Sequence, residues 1–228
     1  QKSGALYYCS WDYQNEDLID SLCSPKGTLI TQQQGLGKTR MAFGLASTVE
    51  SSKSLIIVLP QLLDQFIEQA AEVGVPLHPI RKAADIDELA KVNIITTTRL
   101  RCNLRPGAKR TFAKALRNRF GTIILDEADL LRNTKTKQSQ AITQLGGVRK
   151  YALSGTPVAN YPRNFVGVAS WVFGEGNVLQ PYSPNLPYPE ICGLSDASYT
   201  RRGIDVFADT FVTMQWVTNE FREDMQGG

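Results

Sequence analysis

No run of about 18 apolar residues occurs, which is the length a membrane-spanning helix needs, and no charged-then-apolar leader opens the chain. Neither a membrane span nor a secretory signal is supported, so a soluble, intracellular protein is expected. Cysteine and histidine are scarce: Cys9, Cys23, Cys102 and Cys192 stand singly without a C-x-x-C pair, and His78 is the only histidine. Zinc and redox centres need clustered ligands, so neither is recognisable here. The cysteines read as reduced packing residues. His78, inside a short strand-like stretch from Pro76 to Ile80, reads as structural. Acidic residues are missing from one long interval. Between Glu88 and Asp126 there are none, while Lys91, Arg99, Arg101, Arg105, Lys109, Arg110, Lys114, Arg117 and Arg119 all fall there. A net charge of +3 does not announce a polyanion partner by itself, but this local excess would attract a phosphate backbone.

What is present suffices for one full core: 228 residues, 42% of them hydrophobic and 21% charged. The first methionine is Met41, so the chain is expected to be a piece of something longer. Strand and helix patterns alternate. Strands are expected at Gly27 to Thr31, Ser54 to Leu59, Val92 to Thr97, Thr122 to Leu125 and Lys150 to Leu153. Helices are expected from Lys38 to Val49, Gln61 to Val73, Asp85 to Ala90, Lys109 to Phe120 and Lys135 to Leu145. Such alternation implies an α/β fold, a mostly parallel central sheet with helices on both faces. From Pro181 the character changes, because Pro181, Pro184, Pro187 and Pro189 crowd together and discourage a regular element. The chain therefore divides into a main domain over 1–180 and a proline-rich loop with an amphipathic tail, Phe211 to Met225, over 181–228.

Two segments carry chemistry. The first is the loop Gln32-Gln33-Gln34-Gly35-Leu36-Gly37-Lys38-Thr39, between a strand and a helix. A phosphate cradle needs glycines that let the backbone approach, a lysine for the terminal phosphates and a hydroxyl for magnesium, all at a helix N-terminus. Gly35, Gly37, Lys38 and Thr39 supply these, with Leu36 between the glycines. Gln32 stands where the general P-loop pattern has its first glycine, so the loop alone also fits a glycine-rich turn. The second segment is Asp126-Glu127-Ala128-Asp129, directly after the apolar strand Thr122 to Leu125. Acids at the carboxyl end of a buried parallel strand lie where ligands meet such sheets. Asp126 suits the magnesium of a phosphoryl-transfer site, and Glu127 suits orienting and deprotonating the attacking water. The alternative is an acidic start to the following helix, favoured by the helix dipole. The two segments in this order favour an ATP and Mg2+ site.

Together they resemble the first RecA-like domain of superfamily-two helicases and translocases, above all the Swi/Snf-type ATPases, over about Tyr13 to Gly176. That family reads D-E-M-G-L-G-K-T at the loop, matched here from Gly35 to Thr39. Leu59 to Leu63 resembles its motif Ia, and Ile95 to Thr98 its next DNA-contacting motif. Asp126 to Asn133 with Lys137 is similar to its D-E-A-H-x-L-K-N-x-x-S-K block, and Ser154 to Asn160 to its T-G-T-P-L-Q-N motif III. Asp12-Tyr13-Gln14 resembles its R-P-Y-Q, in which the glutamine reads adenine; a polar helix-start residue is the alternative for Gln14.

The resemblance implies an ATP hydrolase that translocates on double-stranded DNA, with a second RecA-like domain of the same protein supplying arginine fingers. These residues alone would then bind ATP weakly and turn it over poorly or not at all. It implies Thr97, Arg99 and Arg101 at the nucleic acid, and Ser154, Gly155 and Thr156 relaying the nucleotide state to it. The helix from Lys109 to Phe120 either contacts DNA or leaves its cations solvated opposite Phe112, Leu116 and Phe120. The compartment would be the nucleus in a eukaryote, otherwise the cytoplasm or an infected cell. Two other functions stay open. One is a DEAD-box RNA helicase, suggested by the tetrapeptide but not by the loop or by Ser154-Gly155-Thr156. The other is a nucleotide-gated binding module that never hydrolyses ATP.

Overall fold

A computed structural model of the protein describes residues 12–33, 35–48, 52–155 and 163–174. The expected tail helix, Thr156 and the 181–228 segment lie outside these residues. Six strands form one sheet: β1 (Leu29–Thr31), β2 (Ser54–Val58), β3 (Leu77–Pro79), β4 (Val92–Thr96), β5 (Thr122–Asp126) and β6 (Arg149–Ser154). Their order across the sheet is β1-β6-β5-β2-β4-β3, and every described pair is parallel. The carboxyl ends therefore share one edge. Thr31 pairs with Ser154, and Leu153 with Asp126.

Burial explains the strand sequences. β2 and β5 are central and buried at every position, whereas the edge strands β1 and β3 are only partly so. Alternate side chains divide between two cores, as the strand period of two requires. Ile56, Val58, Ile94, Ile124 and Leu153 point into one core; Leu55, Ile57, Ile95, Ile123 and Leu125 point into the other. Each fully buried aliphatic side chain contributes about 1.5–3 kcal/mol relative to exposure.

The helices follow the same division. The first core takes Leu18 from α1 (Asp12–Cys23), Met41 to Ala46 from α2 (Lys38–Thr48), and Phe66 and Ala70 from α3 (Leu63–Glu72). Phe43 and Phe66 meet edge to face, ring centroids 5.8 Å apart. The second core is covered by α4 (Thr97–Arg101), α5 (Phe112–Leu116), α6 (Lys137–Thr143) and α7 (Arg163–Phe173). Three of these start at threonines whose hydroxyls accept an amide two or three residues into the helix: Thr96 from Arg99, Thr111 from Lys114, and Thr136 from Ser139.

Two expected helices are corrected. Asp85 to Ala90 is not an α-helix; a 3-10 turn spans Ala83–Ile86 instead. The Asp85 carboxylate accepts the Arg81 and Lys82 amides at 2.7 and 2.9 Å, and so caps the turn from within rather than extending it. Lys109 to Phe120 shrinks to Phe112–Leu116. Arg117 is extended at its C-cap and Asn118 turns left-handed at φ 58°, which ends the helix before Phe120. The strands expected from sequence are found, and α1, α4 and α7 are additional helices.

Candidate functional site

β1 delivers the chain into the glycine loop at the sheet's carboxyl edge, and α2 begins at Lys38. Gly35 (φ +86°) and Gly37 (φ +82°) hold left-handed conformations that a side chain would strain. A Cβ on Gly37 would also collide with the Gln14 amide. The Lys38 ammonium curls back over the loop and donates to the carbonyls of Gln32 and Gln33, each at 3.0 Å. Gly35, Gly37, Lys38 and Thr39 face Asp126 and Glu127 across a cavity of about 580 Å³. The structure thus brings together the two segments expected to act jointly.

Asp126 ends β5 and is 9% exposed. Burial pushes its carboxyl up to about 6, against the pull of the Lys38 ammonium. A buried carboxylate that one ammonium offsets only partly is ready for a further cation. The next residue, Glu127, leaves the strand with φ +74°, uncommon for a side-chain-bearing residue and here located at the cavity wall. Its carboxyl is raised to about 7, first by burial, then by a hydrogen bond with Asp129 and the charges of Asp129 and Asp126; Arg132 opposes the shift. Asp129 in turn pairs with Arg132 and accepts the Ser154 hydroxyl at 3.4 Å. A chain of polar contacts therefore runs from Glu127 through Asp129 to the end of β6, where Ser154 is buried and Gly155 follows.

Gln14 lies against the glycine loop. It is 1% exposed, its amide donates to the Leu36 carbonyl at 2.7 Å, and it is not part of the cavity lining. Tyr13 donates to the same carbonyl at 3.2 Å. In this conformation Gln14 supports the loop. Several lining residues carried no sequence signal: Arg40 behind the loop, and Gln65, Gln69 and Glu72 of α3; Leu62, from the stretch resembling motif Ia, lines the cavity beside them.

The residues expected at nucleic acid separate into distinct roles. Thr97 is 1% exposed and its hydroxyl accepts from Gln138, so its side chain joins α4 to α6 rather than facing solvent. Arg99 is exposed and lies 5.7 Å over the Phe112 ring. Arg119 donates to the Ile86 carbonyl at 2.9 Å, a structural use of one cation from the basic interval. Arg101 enters a groove of about 520 Å³ between α4, α5 and α6 with Lys114, Lys137, Thr111, Gln140 and Gln144. No carboxylate lines this groove, and among the described residues its three cations make no ion pair.

Comparison with known proteins gives a consistent picture. The profile of the SNF2-related domain matches residues 10–174. A putative SWI/SNF-related matrix-associated actin-dependent regulator of chromatin subfamily A member 3-like 1 from Arabidopsis thaliana is 29% identical over 119 residues, 49% of this chain and 13% of that protein. The DNA repair protein RAD5 of Yarrowia lipolytica is 27% identical over 175 residues, 64% of this chain and 17% of that protein. The solved SWI2/SNF2 ATPase core of Sulfolobus solfataricus in complex with dsDNA superposes with a TM-score of 0.54 at 20% identity, covering 71% of this chain and 35% of that one. That likeness establishes the shared RecA-like fold. The chain spans a minor part of each of these proteins. With the profile matched across both the glycine loop and the Asp126-Glu127 strand end, the chain belongs to the SNF2-related domain family.

Proposed function

We propose that this chain is the ATP-binding half of a DNA-dependent ATPase motor that translocates on double-stranded DNA. The observation that supports it most is the convergence of Lys38, Thr39, Asp126 and Glu127 on one cavity at the carboxyl edge of a parallel sheet. Lys38 would exchange the carbonyls of Gln32 and Gln33 for the terminal phosphates, and the loop amides would hold the same oxygens. Thr39 and Asp126 would hold magnesium, a hydroxyl and a carboxylate being donors that suit an ion which keeps water and phosphate oxygens as its other ligands. Bound there, the ion would neutralise charge on the transferring phosphoryl group. Glu127 would take the proton of the attacking water as the water oxygen bonds to the γ-phosphorus and the bond to the ADP oxygen breaks.

The polar chain from Glu127 through Asp129 to Ser154 would carry the state of the site toward β6 and the residues after it, including Gly155 and Thr156. A second RecA-like domain of the full-length protein would complete the cleft with arginines. Arg99 and the groove of Arg101, Lys114 and Lys137 offer the nucleic-acid surface. The relatives named for chromatin regulation and DNA repair support DNA as the track and an intracellular setting. Competition binding checks the choice of nucleic acid. Duplex DNA is expected to displace a labelled duplex at lower concentration than single-stranded RNA of equal length, and a clear RNA preference would sink the DNA reading.

A further inference from the structure

We infer that Asp17 and Gln32 form a positioning pair for the nucleotide site, a clasp between α1 and the loop entry that fixes the backbone from which Lys38 reaches its ligand. The inference rests on the ATP-site reading above and adds the side chains of Asp17 and Gln32, which that reading does not use. Gln32 is 7% exposed and directly follows β1. It is tied to three elements at once. Its side-chain amide donates to the Asp17 carboxylate on α1 at 2.6 Å, its backbone N–H to the Ser154 carbonyl at the end of β6 at 3.2 Å, and its own carbonyl accepts the Lys38 ammonium at 3.0 Å. Moving residue 32 would therefore move the acceptor of the phosphate-binding lysine.

The polarity of the clasp is defined. A carboxylate accepts only, so the NH2 of the Gln32 amide must face Asp17, and its Oε1 is left buried with no hydrogen-bond partner among the described residues. The remaining cost of that orphaned oxygen is accepted for one charge-assisted bond. α1 is itself fixed against α2. A Cβ on Gly44 would lie 3.1 Å from a Leu18 methyl, so the two helices approach closely there. Gln14, Asp17 and Leu18 share one helical face, and Gln14 grips the far side of the loop through Leu36. The loop is thus held at residue 32 and at residue 36 by a single helix. Gln32, Gln33 and Gln34 stand where the D-E-M-G-L-G-K-T pattern has its first three residues, and at residue 32 a carboxylate comes instead from Asp17 on α1.

Exchanging donor and acceptor tests the clasp without changing its shape. Gln32→Glu sets two carboxylates where one bond stood, and fluorescent-ATP titration of the full-length protein should show affinity lowered about 10-fold or more. Asp17→Asn alone leaves two amides that can still pair, and should cost less. The double variant Asp17→Asn/Gln32→Glu restores an amide-carboxylate bond at unchanged net charge, and should return affinity to within about twofold of wild type. In steady-state turnover the loss should appear in KM more than in kcat, because the clasp positions the empty loop. Asp17→Ala, which removes the acceptor without adding charge, should weaken binding several-fold even if Gln32→Glu fails to fold. Wild-type affinity in Gln32→Glu or Asp17→Ala, or a double variant no better than a folded Gln32→Glu, would overturn the inference. Wild-type protein that binds no fluorescent ATP would overturn the ATP-site reading, and the clasp with it. Wild-type binding with unresponsive variants would overturn the clasp alone.

Discussion

The cavity of Lys38, Asp126 and Glu127 and the basic groove lie against opposite cores of the same sheet and are built on opposite principles. The cavity sets buried or half-buried Lys38, Thr39, Asp126 and Glu127 at the start of α2 and the end of β5, and two of them already have polar partners: Lys38 holds the loop carbonyls, while Glu127 is hydrogen-bonded with Asp129. The groove draws exposed cations from three short helices, and they engage nothing charged among the described residues. One is organised in advance for a small charged ligand by geometry and burial. The other offers positive charge without geometric demands, which suits a backbone of repeated phosphates. A motor needs both, because hydrolysis demands fixed positions and movement along a track demands contacts that can be made and released.

The largest expected effect on ligand binding lies in the cavity. Lys38→Ala removes the ammonium from the phosphate cradle, and fluorescent-ATP affinity should fall about 100-fold, equivalent to about 2.7 kcal/mol. Wild-type affinity in that variant would break the contrast at its stronger side.

Next is the cost of assembling the cavity before ligand arrives. Asp126 is raised from an ordinary 3.8 to about 6 in the folded protein, so the folded state holds a proton that the unfolded chain has released. The associated stability is present at low pH and is lost as pH rises from about 4 through about 6. Asp126→Asn should flatten that part of the nucleotide-free protein's thermal-stability profile and raise its midpoint at pH 8. An unchanged slope would show that the carboxylate is better compensated than its burial implies.

The smallest effect belongs to the groove. Neutralising Lys114 and Lys137 together with glutamine should lower the slope of log K against log salt for duplex DNA by about 1.8, at about 0.9 per phosphate contact, with ATP affinity unchanged. An unchanged slope would leave Arg99 and other surfaces as the track.

The same contrast explains what could be read from the chain before folding. The cavity was legible because its parts are contiguous: a strand, two glycines and Lys38 in one segment, and a strand ending at Asp126 in another. Parallel pairing then brings both to one edge. The core was legible for a similar reason, since Leu55 to Val58 and Ile123 to Leu125 are apolar on both faces. The groove was only half legible. Arg101 and Lys114 fall in the acid-free interval, but Lys137 comes from beyond Asp126, and only packing of α6 beside α4 joins them. Arg119 stood in the same interval and is held by the Ile86 carbonyl, a choice that charge counting cannot foresee. Gln14 and Thr97 were found by motif, and each is buried with a partner inside the domain, Leu36 for Gln14 and Gln138 for Thr97, contacts that a motif does not show. Where local turn chemistry competed with periodicity, as at Asp85 and Asn118, the turn won and the expected helices shortened.

The central claim is that Asp126, Glu127 and Lys38 serve a motor rather than a nucleotide-gated scaffold. The most direct measurement is ATP turnover by the full-length protein with and without duplex DNA, for wild type and Glu127→Gln. The account predicts DNA-stimulated hydrolysis in wild type and a loss of about 10²- to 10⁴-fold in Glu127→Gln with ATP binding retained. Turnover that ignores DNA, or that survives Glu127→Gln undiminished, would contradict it.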